Sequence, residues 1–185
     1  MGERLDPDRF VDEVRSANRE RDAQRAVDQV LARAVSEPAR MIEALGEPRT
    51  AGLHVLHRAD DLTILNVAWA PLMLLLPHEH RMWASIAIYT GREDNVLWER
   101  RGAQVRAVGA ASLSEKEVFA LPEDAVHSVS NPIRRFTGAL HVYGGDFFAT
   151  PRSEWDPETL RERPFDLEAA RATFQEANER FASGR

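Results

Sequence analysis

The sequence predicts a single, mainly β domain, with an antiparallel barrel or sandwich preceded by helices and followed by one more helix. From about residue 52, short runs rich in Val, Ile, Leu, Trp and Tyr alternate with turn residues. The length of 185 residues and a hydrophobic content of 43% suffice for one core and are short for two. We therefore expect a helical N-terminal cap (1–46), a β-barrel (52–150) and a C-terminal extension with a helix (151–185).

The helices are predicted from apolar residues at helical spacing and from residues that favour helix ends. Asp6-Pro7 is a start signal for the first helix, and Gly46 can end the third in a left-handed conformation. Asp166 is a plausible cap for the last helix. The predicted helices begin near Pro7, run from Asp22 to Ala34, from Pro38 to Leu45, and from Asp166 to Phe181.

The strands are predicted where β-branched, aromatic and other apolar residues lie between turn signals such as Asp60-Asp61, Gly91 and Gly102. Arg92-Glu93-Asp94, directly after Gly91, is interpreted as a solvated loop. The predicted strands are Leu53–His57, Thr63–Ala70, Met73–Leu76, Met82–Tyr89, Asn95–Arg100, Val105–Val108, Lys116–Leu121, Val126–Ser130 and Thr137–Tyr143.

Composition excludes several classes of function. The net charge of −6 comes without a basic stripe, which argues against nucleic acid as a partner. The chain has no cysteine, so any metal ligands must be nitrogen or oxygen atoms. Ala68–Leu76 is too short to span a membrane, and Met1–Phe10 lacks the apolar segment of a signal peptide. These features favour a cytoplasmic protein that does not associate with membranes.

Three histidines are candidate ligands of one divalent metal ion. His78 and His80 are two residues apart in a segment that leads into a predicted strand, so both imidazoles can point to the same side. A turn containing Pro122 should deliver His127 from another strand. Neutral imidazole is a common metal ligand, and three of them leave coordination positions open. A His-x-His pair alone, however, is more often a pair of hydrogen-bonding side chains.

The surrounding residues resemble the two motifs of the cupin superfamily. In the first motif, His-x-His precedes a Glu position and a glycine, and Gly91 falls at the matching distance. The second motif, Pro-x-Gly-x-x-His-x-x-x-Asn, is matched by Pro122, His127 and Asn131, with Asp124 in place of the glycine. The resemblance implies the cupin fold, a double-stranded β-helix or jelly-roll barrel.

The Glu position of the first motif falls on Ala84 or Ser85, neither of which supplies a carboxylate. The expected metal set is therefore three histidines, and in this the chain resembles the thiol dioxygenases of the cysteine dioxygenase family. That resemblance implies iron(II) and dioxygen. The same fold also accommodates zinc, nickel or manganese for isomerisation or hydrolysis, or a ligand held without turnover.

Three further residues support the resemblance to thiol dioxygenases. Ala139-Leu-His141-Val-Tyr143 is similar to the family's Ser-x-His-x-Tyr element, and Trp69 has the family's position before the first histidine. Tyr143 is expected to donate a hydrogen bond to dioxygen or to the substrate, with His141 orienting it. The alternative is that both are buried wall residues. Because Ala139 replaces the serine, the hydrogen bond that orients the histidine must be absent or replaced.

The substrate is expected to be a small, acidic and possibly thiol-containing molecule, since three neutral ligands leave the metal its full dipositive charge. The family binds the substrate carboxylate with an arginine. Arg58 lies nearest to the appropriate early strand, but His54 or His57 are alternatives. Trp69 is expected to line the same substrate pocket. The sequence does not predict an oligomeric state.

Overall fold

The computed structural model describes residues 6–184, so residues 1–5 of the predicted cap and residue 185 lie outside it. The side chain of Asp6 caps the first helix by accepting a hydrogen bond from the Asp8 amide, and Asp166 does the same for the amides of Glu168 and Ala169. Gly46 ends the third helix with a φ of 86° and a ψ of 155°, so its φ is positive but its backbone is extended. The helices are α1 (Pro7–Ala17), α2 (Ala23–Val35), α3 (Pro38–Leu45) and α4 (Leu167–Ala182).

The strands form two antiparallel sheets, which confirms the predicted mainly β fold. The first sheet has the order β1-β2-β9-β4-β7, and the second has the order β11-β10-β3-β8-β5-β6. The strands are β1 (Gly52–Arg58), β2 (Thr63–Trp69), β3 (Leu74–Glu79), β4 (Ala84–Thr90), β5 (Arg92–Arg101), β6 (Gln104–Ser114), β7 (Val118–Leu121), β8 (Val126–Ser130), β9 (Thr137–Tyr143), β10 (Ser153–Trp155) and β11 (Glu162–Pro164).

The strands β2, β4 and β9 of the first sheet are buried on both faces, as expected of strands that are mostly apolar. In β9, the side chains of Ala139 and Tyr143 join the core between the sheets, whereas Leu140 and Val142 pack with the N-terminal helices. The helices α1 to α3 therefore cover the outer face of the first sheet. Phe174 of α4 belongs to the inner core.

Three local departures from the predicted elements bear on the site. His78 lies near the end of β3, and His80 lies in the turn that follows, where Arg81 has a φ of 56°. The pair therefore ends a strand rather than leading into one. β5 begins at Arg92, so residues 92–94 are not a solvated loop. Finally, β10 and β11 extend the second sheet beyond residue 150.

Gly91 joins β4 to β5 with a φ of 86°, a conformation that favours glycine. A side chain is also excluded by space, because a Cβ atom here would lie 2.8 Å from the Thr137 Cα atom. Both the backbone conformation and the lack of space therefore require a glycine at this position. None of the helices within residues 6–184 is long and apolar enough to cross a membrane.

Candidate metal centre

The three predicted histidines converge through the same ring nitrogen. The Nε2 atom of His80 lies 3.2 Å from Nε2 of His78 and 3.3 Å from Nε2 of His127. All three side chains are buried. Strand pairing explains the convergence, because His78 and His127 are direct partners in the β3–β8 ladder, after a register shift between Leu75 and His78. The turn after β3 then returns His80 to the same point.

Hydrogen bonds at the other ring nitrogen orient two of the imidazoles. Nδ1 of His78 donates to the carbonyl oxygen of Leu76 over 2.8 Å, and Nδ1 of His127 lies 2.7 Å from Oδ1 of Asn95. An acceptor at Nδ1 places the hydrogen there and leaves a lone pair at Nε2. These two rings therefore present lone pairs to the shared point.

Burial also keeps the three imidazoles neutral. Loss of contact with water lowers the pKa of His78 to about 4, and it lowers the pKa of His80 and His127 well below the ordinary value. The neighbouring imidazoles reinforce this effect. Neutral histidine is the form that binds a metal ion.

The spacing of the nitrogens fits a divalent cation. Metal–nitrogen bonds of about 2.0–2.1 Å, at angles between octahedral and tetrahedral, place two ligand nitrogens roughly 2.9–3.4 Å apart. The two measured Nε2 separations, 3.2 Å and 3.3 Å, fall in this range. A cation would also relieve the repulsion between the lone pairs of His78 and His127, which face the same point.

A small cavity of about 30 Å³ adjoins the three histidines, roughly the space of one water molecule. Trp69 lies on its wall, and its buried indole Nε1–H has no partner among the described residues. The ring stacks on Phe174 of α4, with centroids 5.2 Å apart. The remaining lining side chains are mostly apolar: Leu53, Val67, Leu75, Val129, His141, Tyr143, Phe147, Phe165, Leu167 and Ala170.

His141 and Tyr143 face the cavity from β9, two residues apart. Nδ1 of His141 lies 3.2 Å from the Tyr143 hydroxyl, and its Nε2 lies 3.1 Å from Oε2 of Glu93 across the barrel. Glu93 is fully buried and also accepts a hydrogen bond from Nδ2 of Asn95. The Glu93 carboxylate therefore orients the His141 ring from the side opposite Tyr143.

Arg58 and His54, predicted as substrate residues, do not line the cavity. The Arg58 guanidinium forms a two-pronged ion pair with Asp146, with Nη2 to Oδ2 at 2.9 Å, and 48% of its side chain is exposed. His54 is exposed on β1. Its alternative, His57, is also absent from the lining residues. β1 lies at the edge of the first sheet, and of its residues Leu53 lines the cavity.

A different arginine lies against the cavity wall. The guanidinium carbon of Arg152 is 4.3 Å from the centre of the Phe147 ring and 4.0 Å from that of Phe165. Arg152 is 8% exposed, and its Nε and Nη2 atoms have no hydrogen-bond partner among the described residues. Burial lowers its pKa to about 10, partly offset by Tyr143 and two carboxylates, so the side chain stays charged at neutral pH.

Glu79, between the first two histidines, ties the turn that carries His80 to the segment that holds Arg152. Its carboxylate accepts hydrogen bonds from Arg81, Arg100 and the Ser153 amide, at 2.7, 2.6 and 3.1 Å. Burial alone would raise the pKa of Glu79, but the two arginines outweigh it and lower that pKa. This cluster links β3, β5 and β10 next to the site.

Sequence reasoning missed Glu93, Asn95 and Arg152. Glu93 and Asn95 are two residues apart, so once β5 is known to start at Arg92 their alternation indicates one common face. The charged run around Glu93 concealed that signal. Arg152 follows the last predicted strand, and no motif in the sequence indicates that it turns back to the barrel.

The sequence matches no family model. Among solved structures, similarity is found to a variant of oxalate decarboxylase from Bacillus subtilis, at 15% identity over 49% of this chain and with a TM-score of 0.41. The chain spans 23% of that protein's length. A cupin superfamily protein from Desulfitobacterium hafniense is 13% identical, over 54% of this chain and 82% of its own, with a TM-score of 0.43. A protein from Thermus thermophilus is 16% identical, over 54% of this chain and 87% of its own, with a TM-score of 0.43.

Proposed function

We propose that this protein is a metal-dependent cupin enzyme, and that it is an iron(II) dioxygenase acting on a small acidic substrate, most simply a thiol carboxylate. The observation that carries the proposal is the convergence of three neutral Nε2 donors on one point beside a buried arginine whose Nε and Nη2 have no partner. Within residues 6–184 no carboxylate joins the three histidines in this cluster, so the charge of a bound cation would stay uncompensated.

The charge of the site favours an anion. His78, His80 and His127 would hold a divalent ion without neutralising it, and Arg152 adds a further buried positive charge against the cavity wall. A substrate carboxylate would satisfy the unpaired Nε and Nη2 atoms in the two-pronged arrangement that guanidinium groups favour. Because the cavity is only about 30 Å³, the phenyl rings between Arg152 and the cavity must move to admit a substrate.

The protein's own residues would position the reactants and exclude water. An iron(II) ion held by His78, His80 and His127 would supply open coordination positions and one-electron chemistry. A thiol dioxygenase adds both atoms of O₂ to one sulfur and forms a sulfinic acid, without a further reductant. The apolar wall around Trp69 and Phe174 would keep bulk water from the reacting atoms.

The proposal is tested by oxygen consumption of the iron(II)-loaded protein with cysteine, 3-mercaptopropionate and cysteamine. Turnover is expected with the two carboxylates and only weakly with cysteamine, which has no carboxylate for Arg152. No oxygen uptake with any small thiol would contradict the dioxygenase assignment, although the metal site itself would be unaffected.

The variant Arg152→Met tests the arginine separately. Loss of a charge-assisted, two-pronged contact should lower kcat/KM for the acidic thiol by roughly 10- to 100-fold and change that for cysteamine by only about two-fold. The matched control is Arg58→Met, which removes an arginine outside the cavity and should leave both values unchanged. Equal losses for both thiols in R152M would contradict a carboxylate contact.

An alternative function uses the same site with another metal. Three nitrogen donors with open positions also suit zinc, nickel or manganese, and hence isomerisation or hydrolysis. Elemental analysis of protein purified without oxygen separates these cases. Bound metal without turnover of any substrate would favour a cupin that binds its ligand non-catalytically.

A further inference from the structure

We propose that Glu93 is a positioning residue that fixes the proton arrangement on both sides of the site. Through His141 it sets the direction of the Tyr143 hydroxyl hydrogen, and through Asn95 it holds His127 in the tautomer that binds metal. The His127 arm rests on the proposed metal site, whereas the His141 arm depends on the hydrogen bonds alone.

Glu93 lies at the centre of a continuous buried chain of polar groups. Its Oε1 accepts from Asn95 at 3.0 Å, and its Oε2 lies 3.1 Å from Nε2 of His141. Beyond these neighbours, Asn95 reaches His127 at 2.7 Å and His141 reaches Tyr143 at 3.2 Å. All five side chains are buried, and within residues 6–184 no arginine or lysine forms an ion pair with Glu93. The two hydrogen-bond partners are therefore the groups that stabilise this carboxylate.

The first arm follows from the donor and acceptor roles. A carboxylate accepts only, so Nε2 of His141 carries a hydrogen and donates it to Glu93; in the single-hydrogen tautomer that we propose for His141, Nδ1 keeps a lone pair. Tyr143 must then donate its hydroxyl hydrogen to Nδ1 of His141. The lone pairs of the Tyr143 oxygen are left for the cavity. Tyr143 is thus an acceptor towards a substrate, the opposite of the role expected from the sequence.

The second arm uses the two ends of one amide. Because Nδ2 of Asn95 donates to Glu93, Oδ1 of Asn95 faces His127 and accepts from its Nδ1. The His127 hydrogen is thereby held on Nδ1, and Nε2 is free to bind the metal. If the amide were reversed, His127 would carry its hydrogen on Nε2 and could not be a ligand in that tautomer.

The test replaces Glu93 by glutamine, which keeps the shape but presents one acceptor and one donor. A single carbonyl cannot serve both arms, so one of them must change. Either His141 moves its hydrogen to Nδ1, or Asn95 reverses and His127 loses its Nδ1–H. The tautomers are read from ¹⁵N-histidine NMR spectra at pH 8, in the metal-free protein and with zinc. If His127 changes, zinc affinity should fall at least about ten-fold.

Two controls separate positioning from general effects of the substitution. Asp94→Asn removes a carboxylate from the neighbouring position of β5, where Asp94 bonds Arg92 and Ser112 on the outer surface. It should leave both tautomers unchanged and zinc affinity within about two-fold. Glu93→Asp keeps two acceptor oxygens and should restore the wild-type tautomers.

The inference is overturned if both histidines keep their wild-type tautomers in E93Q. It is equally overturned if His141 of the wild-type protein carries a hydrogen on Nδ1, a measurement that requires no variant to fold. The tautomer of His141 is measured in the metal-free protein, so this part of the inference does not depend on whether the protein is an oxygenase. Failure of the zinc-loaded His127 arm alone would instead count against the proposed metal site.

Discussion

The three histidines are buried bases, and burial of a base has a consequence for stability. In the unfolded chain each imidazole has a pKa near 6.5, whereas in the fold water is excluded and all three values are lower. The unfolded state therefore binds more protons than the folded state at mildly acid pH.

The metal-free protein should consequently lose stability as the pH falls below about 6.5. Because the pKa of His78 is lowered to about 4, this residue alone accounts for roughly 3 kcal/mol of unfolding free energy, lost by the time the pH reaches about 4. Above pH 6.5 these three histidines are neutral in both the folded and the unfolded state, so they no longer make the free energy of unfolding depend on pH. Urea unfolding at several pH values between 7 and 5 measures the effect before the carboxylates titrate.

The slope of unfolding free energy against pH measures the protons taken up on unfolding. The variant His127→Asn should lower that uptake by about one proton between pH 6.5 and 5, whereas His54→Asn, at an exposed position, should not change it. A wild-type stability that stays constant between pH 6.5 and 5 would contradict neutral, buried imidazoles.

At the scale of single residues, the three histidines could be predicted from the sequence because a metal site requires a recognisable residue type at a recognisable spacing. Glu93 and Arg152 could not be predicted in the same way. A carboxylate in a charged run reads as solvated until the strand register is known, and an arginine becomes informative only when folding buries it. Arg58 was predicted from its place near an early strand, and that place does not by itself bring the side chain to the lining of the cavity.

At the scale of elements, the strands were predictable because alternating apolar residues and turn signals are local features. The end of β3 could not be predicted in this way, because His80 reaches the site from a turn whose conformation at Arg81 depends on tertiary contacts. β10 and β11 are three residues each, and their pairing with the second sheet is what places Arg152 beside the cavity. Such short strands have little sequence signal.

The helix α4 contributes to the cavity wall through Phe174, which is 4% exposed and stacks on Trp69. Replacing Phe174 by alanine should lower the free energy of unfolding by about 3 kcal/mol, because it removes a buried ring and leaves a void. Chemical denaturation of the metal-free protein measures this loss.

The matched control lies on the same helix. Phe181 is 51% exposed, and Phe181→Ala should cost less than about 1 kcal/mol despite the same change of side chain. Equal losses for the two variants would mean that α4 does not cover the cavity in solution.

At the scale of the whole molecule, the two sheets divide the tasks of the site. The second sheet supplies His78, His127 and Glu93, while the first supplies His141 and Tyr143 from the opposite wall. The N-terminal helices cover the outer face of the first sheet and do not line the cavity. The mainly β fold was predictable from composition and periodicity. The contact of His141 with Glu93 joins the two sheets, and it could not be predicted without knowing how the sheets pack together.

The most direct test of a metal centre is the metal content of three proteins prepared identically with iron(II) or zinc: the wild type, His127→Ala and His54→Ala. After removal of loosely bound ions, elemental analysis should give about one ion per chain for the wild type and for H54A, and less than about a tenth of that for H127A. A wild-type protein that retains no metal, or an H127A variant that retains a full equivalent, would contradict the three-histidine site.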